Sequence, residues 1–333
     1  MSFPSYVKYT DSEPANTFCE RYAANLRDAL SEHPEDELEI KQQILILSQS
    51  FKKDDEIIDL AFELLAKDTE GIYANDCYLI LARVYTDKKE IAKAIEYYRK
   101  TIEVDPSYEE AIMELATLYE NQLNYDAALE VYDLLDEEHF NDMQISKYRN
   151  KGFCYFKKRD FEQALECFQT ALKLKGDVID EDLANNIGGC FFNMNNFSEA
   201  FGYFRKSLEI NPQSAIAHYG LGLCYQHTDD SYRAMHHYFE AIKIKPDYIE
   251  AYNNIAAVTI NQEGDYKAGT EMLKKAIDNS PDKDSLTIIY INLARVYNQL
   301  KEFALADYYT AEYMKNLGFG DFLAEDEEDE DDD

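Results

Sequence analysis

The chain has 333 residues, 46% hydrophobic and 14% aromatic, which is ample for a large core. Acidic residues outnumber basic ones 66 to 33 and the last nine are all acidic; a formal net charge of −33 repels nucleic acid and anionic lipid and attracts basic proteins. No apolar run approaches the roughly 20 residues that span a bilayer. The opening "MSFPSYVKYTDSEP" has no charged region leading into an apolar stretch, so a soluble cytoplasmic protein is expected, with neither nucleic-acid nor membrane partners.

Residues 1–34 read as an N-terminal segment in which 14–31 are expected to form a capping helix. Residues 35–74 read as a helix pair, from "LEIKQQILILSQSFKKDDEIIDLAFELLAK" at 38–67. From 75 to 317 the chain repeats itself. Pro106, Pro212, Pro246 and Pro281 close apolar helical stretches in "EVDPSY", "EINPQS", "KIKPDY" and "DNSPDK", the last three 34 and 35 residues apart. Pro106 and Pro212 are 106 residues apart, three 34-residue periods plus four, so the two units between them carry short insertions. Residues 318–333 form an acidic tail expected to be disordered.

Numbering slots so that Tyr78 is slot 4, the first clear unit reads Tyr78, Leu81, Ala82, Tyr85, Ala94, Tyr98 and Pro106. Later units refill the same slots, as in Ala184, Ile187, Gly188, Phe191, Ala200, Phe204 and Pro212. Slots 4, 7, 8 and 11 share one helical face. The small residue at slot 8 and the Ala at slot 20 let two antiparallel helices approach closely. Aromatics at slots 11 and 24 fill the gaps between units, and Pro at slot 32 stops the second helix. One such pair cannot bury its apolar face alone, whereas a stack of pairs can.

This pattern resembles the tetratricopeptide repeat (TPR) family over about 75–317, in seven units preceded by a degenerate one. The resemblance implies an all-α, right-handed solenoid of stacked antiparallel helix pairs, a TPR superhelix. The chain departs from the family pattern in having no Trp, in placing Lys151 at a normally apolar slot 7, and in placing Gly269 at slot 20.

Asparagine, a weak helix former, recurs at slot 6: Asn150, Asn186, Asn254 and Asn292. Slots 2, 6, 9 and 13 make a second helical stripe, which in this family lines the concave groove. A carboxamide there offers donors and an acceptor matching a peptide backbone. Repeated each period, it is similar to the asparagine ladders of peptide-binding TPR proteins. Asn185 and Asn253 at slot 5, and Asn193 and Asn261 at slot 13, are expected to support it. Gly189, Gly220 and Ala257 leave room for ligand side chains. Phe153, Phe192 and Tyr219 are candidate apolar contacts, and Arg149, Lys157 and Arg295 add positive charge. The alternative is that slot 6 merely faces solvent. A chaperone-tail clamp, with Lys at slot 5 and Asn at slot 9, does not fit Leu79 and Arg83.

Other constellations read as packing. Cys154, Cys190 and Cys224 occupy slot 10, a core position, and none of the six cysteines forms C-x-x-C. His218, His227, His236 and His237 fall in one unit without a metalloprotease-like spacing. No nucleophile, base or phosphate loop stands out, so no enzyme, cofactor or metal is expected. The expected role is a non-enzymatic adaptor holding an extended peptide segment of a partner protein. The alternatives are an acidic binder or holdase of basic proteins and a regulatory subunit of an enzyme complex.

Overall fold

A computed structural model describes residues 23–28, 36–48, 54–135 and 142–319. The acidic tail beyond 319, residues 1–22, and most of the expected capping helix lie outside the described residues; 23–28 are helical. No strand occurs among the described residues, and no described helix is long and apolar enough to cross a membrane.

The chain divides into two compact units, 1–160 and 161–333. The first contains α1 (Glu37–Ser48), α2 (Asp54–Lys67), α3 (Ala74–Asp87), α4 (Ile91–Val104), α5 (Glu109–Asn121), α6 (Tyr125–Tyr132) and α7 (Asp142–Lys157). The second contains α8 (Phe161–Leu174), α9 (Glu181–Asn193), α10 (Phe197–Ile210), α11 (Ala215–His227) and α12 (Ser231–Ile244). It continues with α13 (Ile249–Val258), α14 (Tyr266–Asn279), α15 (Thr287–Leu300) and α16 (Phe303–Asn316). Within each unit consecutive helices pack side by side, the stacking that the repeat pattern predicts.

The sequence sets these boundaries locally. Second helices end two residues before Pro106, Pro212, Pro246 and Pro281, whose rings cannot continue the helix. Asn124, Asp180, Ser214, Asp230 and Asp265 cap helix starts by accepting a backbone N–H three residues on. Inside each helix pair the turn uses a left-handed residue at slot 15: Lys89, Leu123, Arg159, Asn195, Asp229 and Lys301, with φ between 57° and 65°. In the unit that is one residue longer, this role falls to Gly264 (φ 66°), and the extra residue is absorbed just before it as a single π-turn, Thr259–Glu263.

Close approach of helices depends on glycine meeting an aromatic ring. A Cβ on Gly188 or Gly220 would lie 3.0 or 2.6 Å from the Phe204 ring, and one on Gly222 only 2.5 Å from the ring of the buried Tyr238. Gly220 therefore does not leave room for a ligand, as the sequence suggested; Phe204 fills that space. Gly269 departs from the usual Ala because Ile260, in the π-turn, packs against it. Lys151 is accommodated at slot 7 by an ion pair with Asp133.

Gly222→Ala should cost about 1–3 kcal/mol, since the buried Tyr238 ring cannot move aside. The exposed, helical Gly202 has nothing within 4 Å of a new Cβ, so Gly202→Ala should be neutral or gain up to about 1 kcal/mol. Urea unfolding of the two variants measures the difference directly.

Candidate peptide-binding surface

The slot-6 residues lie next to the slot-24 aromatic of the preceding repeat, and what that aromatic carries decides what they do. In the first unit the buried Tyr98 hydroxyl donates to Glu114 (slot 6) at 3.0 Å. The fully buried Tyr132 donates to Glu120 at 2.6 Å and accepts from the Asn150 amide at 3.0 Å. In the second unit the fully buried Tyr238 donates to Gln226 at 2.6 Å and is also hydrogen-bonded by Asn254. Asn254 in addition donates to the Tyr219 hydroxyl at 3.2 Å. Burial holds the Tyr98, Tyr132 and Tyr238 phenols far above their ordinary range, so they stay neutral and keep donating.

Where slot 24 carries no hydroxyl, slot 6 is released from this task. Asn186 follows Phe168 and makes no side-chain hydrogen bond among the described residues. Gly220 follows Phe204. Asn292 follows Leu273, and its amide turns sideways to donate to Asn253 at 2.7 Å. The four asparagines are thus not one uniform ladder, which corrects the sequence expectation. Asn150 and Asn254 satisfy buried tyrosines, whereas Asn186 and Asn292 do not.

The other candidates separate as well. Asn185 is buried (5% exposed) and donates to Ser214, so it belongs to the interior rather than the surface. Asn193 folds back onto the Gly189 carbonyl at 2.8 Å. Tyr219 is half-buried against Tyr238 and Tyr248, and burial pushes its phenol up to about 12. Phe192 packs edge-on against Phe197, with ring centroids 5.3 Å apart. In the first unit, Phe153 is exposed with the Lys157 ammonium over its ring, and Arg149 and Asn150 are half-buried on the same helix, α7.

Four candidates do converge. Asn253, Asn261, Asn292 and Arg295 line one open cavity of about 290 Å³ between α13 and α15, floored by Ala256, Ala257 and Leu273. Ile260 and Asn261 reach it from the π-turn, so the inserted residue shapes its wall. Arg295 is exposed and makes no ion pair among the described residues; its nearest polar partner is Asn292 Oδ1 at 3.5 Å. The cavity therefore offers carboxamides and one guanidinium above an apolar floor, but no carboxylate.

Three models of the tetratricopeptide repeat match residues 85–147, 146–177 and 182–214. Residues 85–214 thus carry tetratricopeptide repeats. A TPR protein from Parabacteroides merdae superposes with a TM-score of 0.60 at 17% identity, over 74% of this chain and 93% of that one. The Cut9–Hcn1 hetero-tetramer structure matches with a TM-score of 0.51 at 17% identity, over 81% of this chain and 52% of that one. In sequence, the chain is 27% identical over 219 residues to a peroxisomal targeting signal receptor of Candida albicans, covering 64% of this chain. It is 28% identical over 186 residues to a BBSome complex member of Drosophila melanogaster, the BBS4 homolog, covering 53% of this chain. The chain spans 36% of the length of each of these curated relatives.

Cys77, Cys190 and Cys224 are buried, and desolvation pushes their thiols up to about 12. Two features escaped the sequence reading. Lys147 is buried with its ammonium on the Leu135 carbonyl at 2.8 Å, and His218 meets His237. Only pairing across helices shows either, and slot statistics carry no such signal.

The hydroxyl accounting separates the asparagines experimentally. Asn254→Ala strips a partner from two tyrosines and should cost about 1–3 kcal/mol, whereas Asn186→Ala should be neutral or slightly stabilising; thermal melts resolve the two. The buried thiols should resist alkylation at pH 8 in the folded protein. Their folded values lie above the unfolded 9.0, so their contribution to stability is full below pH 9 and lost as pH rises toward 12, as chemical unfolding across that range would show.

Proposed function

We propose that the protein is a non-enzymatic adaptor that holds an extended segment of a partner protein against the first-helix faces of its second unit. The observation that carries this reading is the cavity where Asn253, Asn261, Asn292 and Arg295 converge. Its carboxamides can grip a peptide backbone irrespective of sequence. Its guanidinium, without a carboxylate partner in so acidic a chain, favours a peptide bearing an acidic group at that point. Asn186 adds an uncommitted carboxamide on the same stripe of α9. A relative described as a targeting-signal receptor is in keeping with peptide recognition, and a cytoplasmic location with the lack of a described membrane-spanning helix.

A second reading rests on the net charge of −33: binding of basic proteins by long-range attraction. Salt separates the two. Raising ionic strength should weaken cavity binding modestly and charge-based binding steeply.

The direct test is calorimetry with a peptide derived from a protein captured by affinity pull-down on the full chain. Asn186→Ala and Arg295→Ala should each lower affinity about fivefold to a hundredfold, the loss of one or two hydrogen bonds, with melting temperatures unchanged. Unaltered affinity in both variants would remove the cavity reading.

A further inference from the structure

The stripe of α15 that lines the cavity carries three chemistries in a fixed order. Ile288, Asn292 and Arg295 stand at i, i+4 and i+7: an exposed apolar side chain, a half-buried carboxamide and an exposed guanidinium. Asn292 and Arg295 line the cavity, and Ile288 extends the stripe toward the start of the helix. At 1.5 Å per residue, Ile288 and Arg295 lie about 10 Å apart along the axis.

The chain delivers a complementary segment to the start of that stripe. The Asn316 amide at the end of α16 donates to the Thr287 hydroxyl at 3.3 Å and to the Lys283 carbonyl. These bonds tie the end of α16 to the first turn of α15. Gly318 (φ 84°) turns the chain out of the helix, and the Phe319 amide donates back to the Met314 carbonyl at 3.0 Å. The sequence that follows is "GDFLAEDEEDEDDD", in which Phe322 and Leu323 precede the first carboxylates of the acidic run. The order is that of α15, which presents Ile288 before Arg295. In an extended chain of three residues per turn, Leu323 and Asp326 share a face about 9 Å apart, close to the spacing of Ile288 and Arg295. The four residues from Phe319 to Leu323 reach about 12 Å, which is sufficient to round the first turn of a helix.

We propose that residues 321–326 dock on this stripe of their own chain, with Phe322 and Leu323 over Ile288 and the carboxylates of Glu325 and Asp326 at Arg295. The tail then covers one side of the cavity and competes with an acidic partner segment for the same guanidinium. Arg295 makes no ion pair among the described residues, so it is free to take this one. Two carboxylates suffice, and the rest of the acidic run need not approach a body that is itself negative. So short a tether holds the segment at an effective concentration of about millimolar, so a weak contact occupies the site. The docking stands alone; only the competition rests on the reading of the cavity as a partner site.

The test is intrachain photo-crosslinking of the full chain without any partner. A benzophenone amino acid replaces Phe322 in one preparation and Glu327 in another; crosslinked monomer is isolated by size exclusion and mapped by mass spectrometry. Position 322 should join the first two turns of α15 around Ile288, and position 327 the turn around Arg295. Arg295→Ala should lower the yield from 327 at least fivefold with an unchanged melting temperature, whereas Lys315→Ala should not. Crosslinks confined to other helices, crosslinks only between molecules, or a yield from 327 indifferent to Arg295→Ala would overturn the proposal. None of these results bears on partner binding, which calorimetry tests separately.

Discussion

The structure depends on aromatic rings lodged where a residue too small to resist them sits on the facing helix. Phe204 occupies the space that side chains at Gly188 and Gly220 would take, and Tyr238 does the same at Gly222. Each ring is buried once and serves two helices, which is why a single pair has no stable core and consecutive pairs do. The same constraint limits what the first-helix surface can present. A slot that must stay glycine for a ring cannot also carry a recognition side chain, and Gly220 is such a slot.

A buried ring that is tyrosine brings a hydroxyl with it, and that hydroxyl needs a partner in a setting without water. The chain supplies it from the first helix of the same repeat (Glu120, Gln226) and from slot 6 of the next (Glu114, Asn150, Asn254). Phenylalanine or leucine at slot 24 removes the demand. The choice between Tyr and Phe, made in the core, therefore decides which surface carboxamides are tied down and which remain for a ligand. In the repeats of Tyr98, Tyr132 and Tyr238, one oxygen atom couples the core to slot 6.

Much of this was legible in the sequence. The repeat, its prolines, the core positions of Cys154, Cys190 and Cys224, and the all-α class follow from a period near 34 residues that recurs because each slot has a fixed neighbour. The convergence of Asn253, Asn261, Asn292 and Arg295 was only half legible. Slot arithmetic places Asn261, Asn292 and Arg295 on one stripe and Asn253 beside it, but the π-turn at Thr259–Glu263 that moves Asn261 and Ile260 into the cavity wall shows in sequence only as a period of 35 instead of 34. Asn185 was misread because a slot beside the stripe can tilt inward, and only the Ser214 hydroxyl on the next first helix reveals that it does. The pairing of His218 with His237 was invisible, since 19 positions of separation have meaning only once two helices are docked.

Site-specific photo-crosslinking measures most directly whether a partner segment occupies the α13–α15 cavity. A photoreactive amino acid placed at Ala257, on the cavity floor, and another at Phe239, exposed on α12, give a matched pair for the full chain incubated with its captured partner. A partner held in the cavity gives covalent capture of one short partner segment from position 257 and little from position 239. Capture from 239 alone, with none from 257, would contradict it.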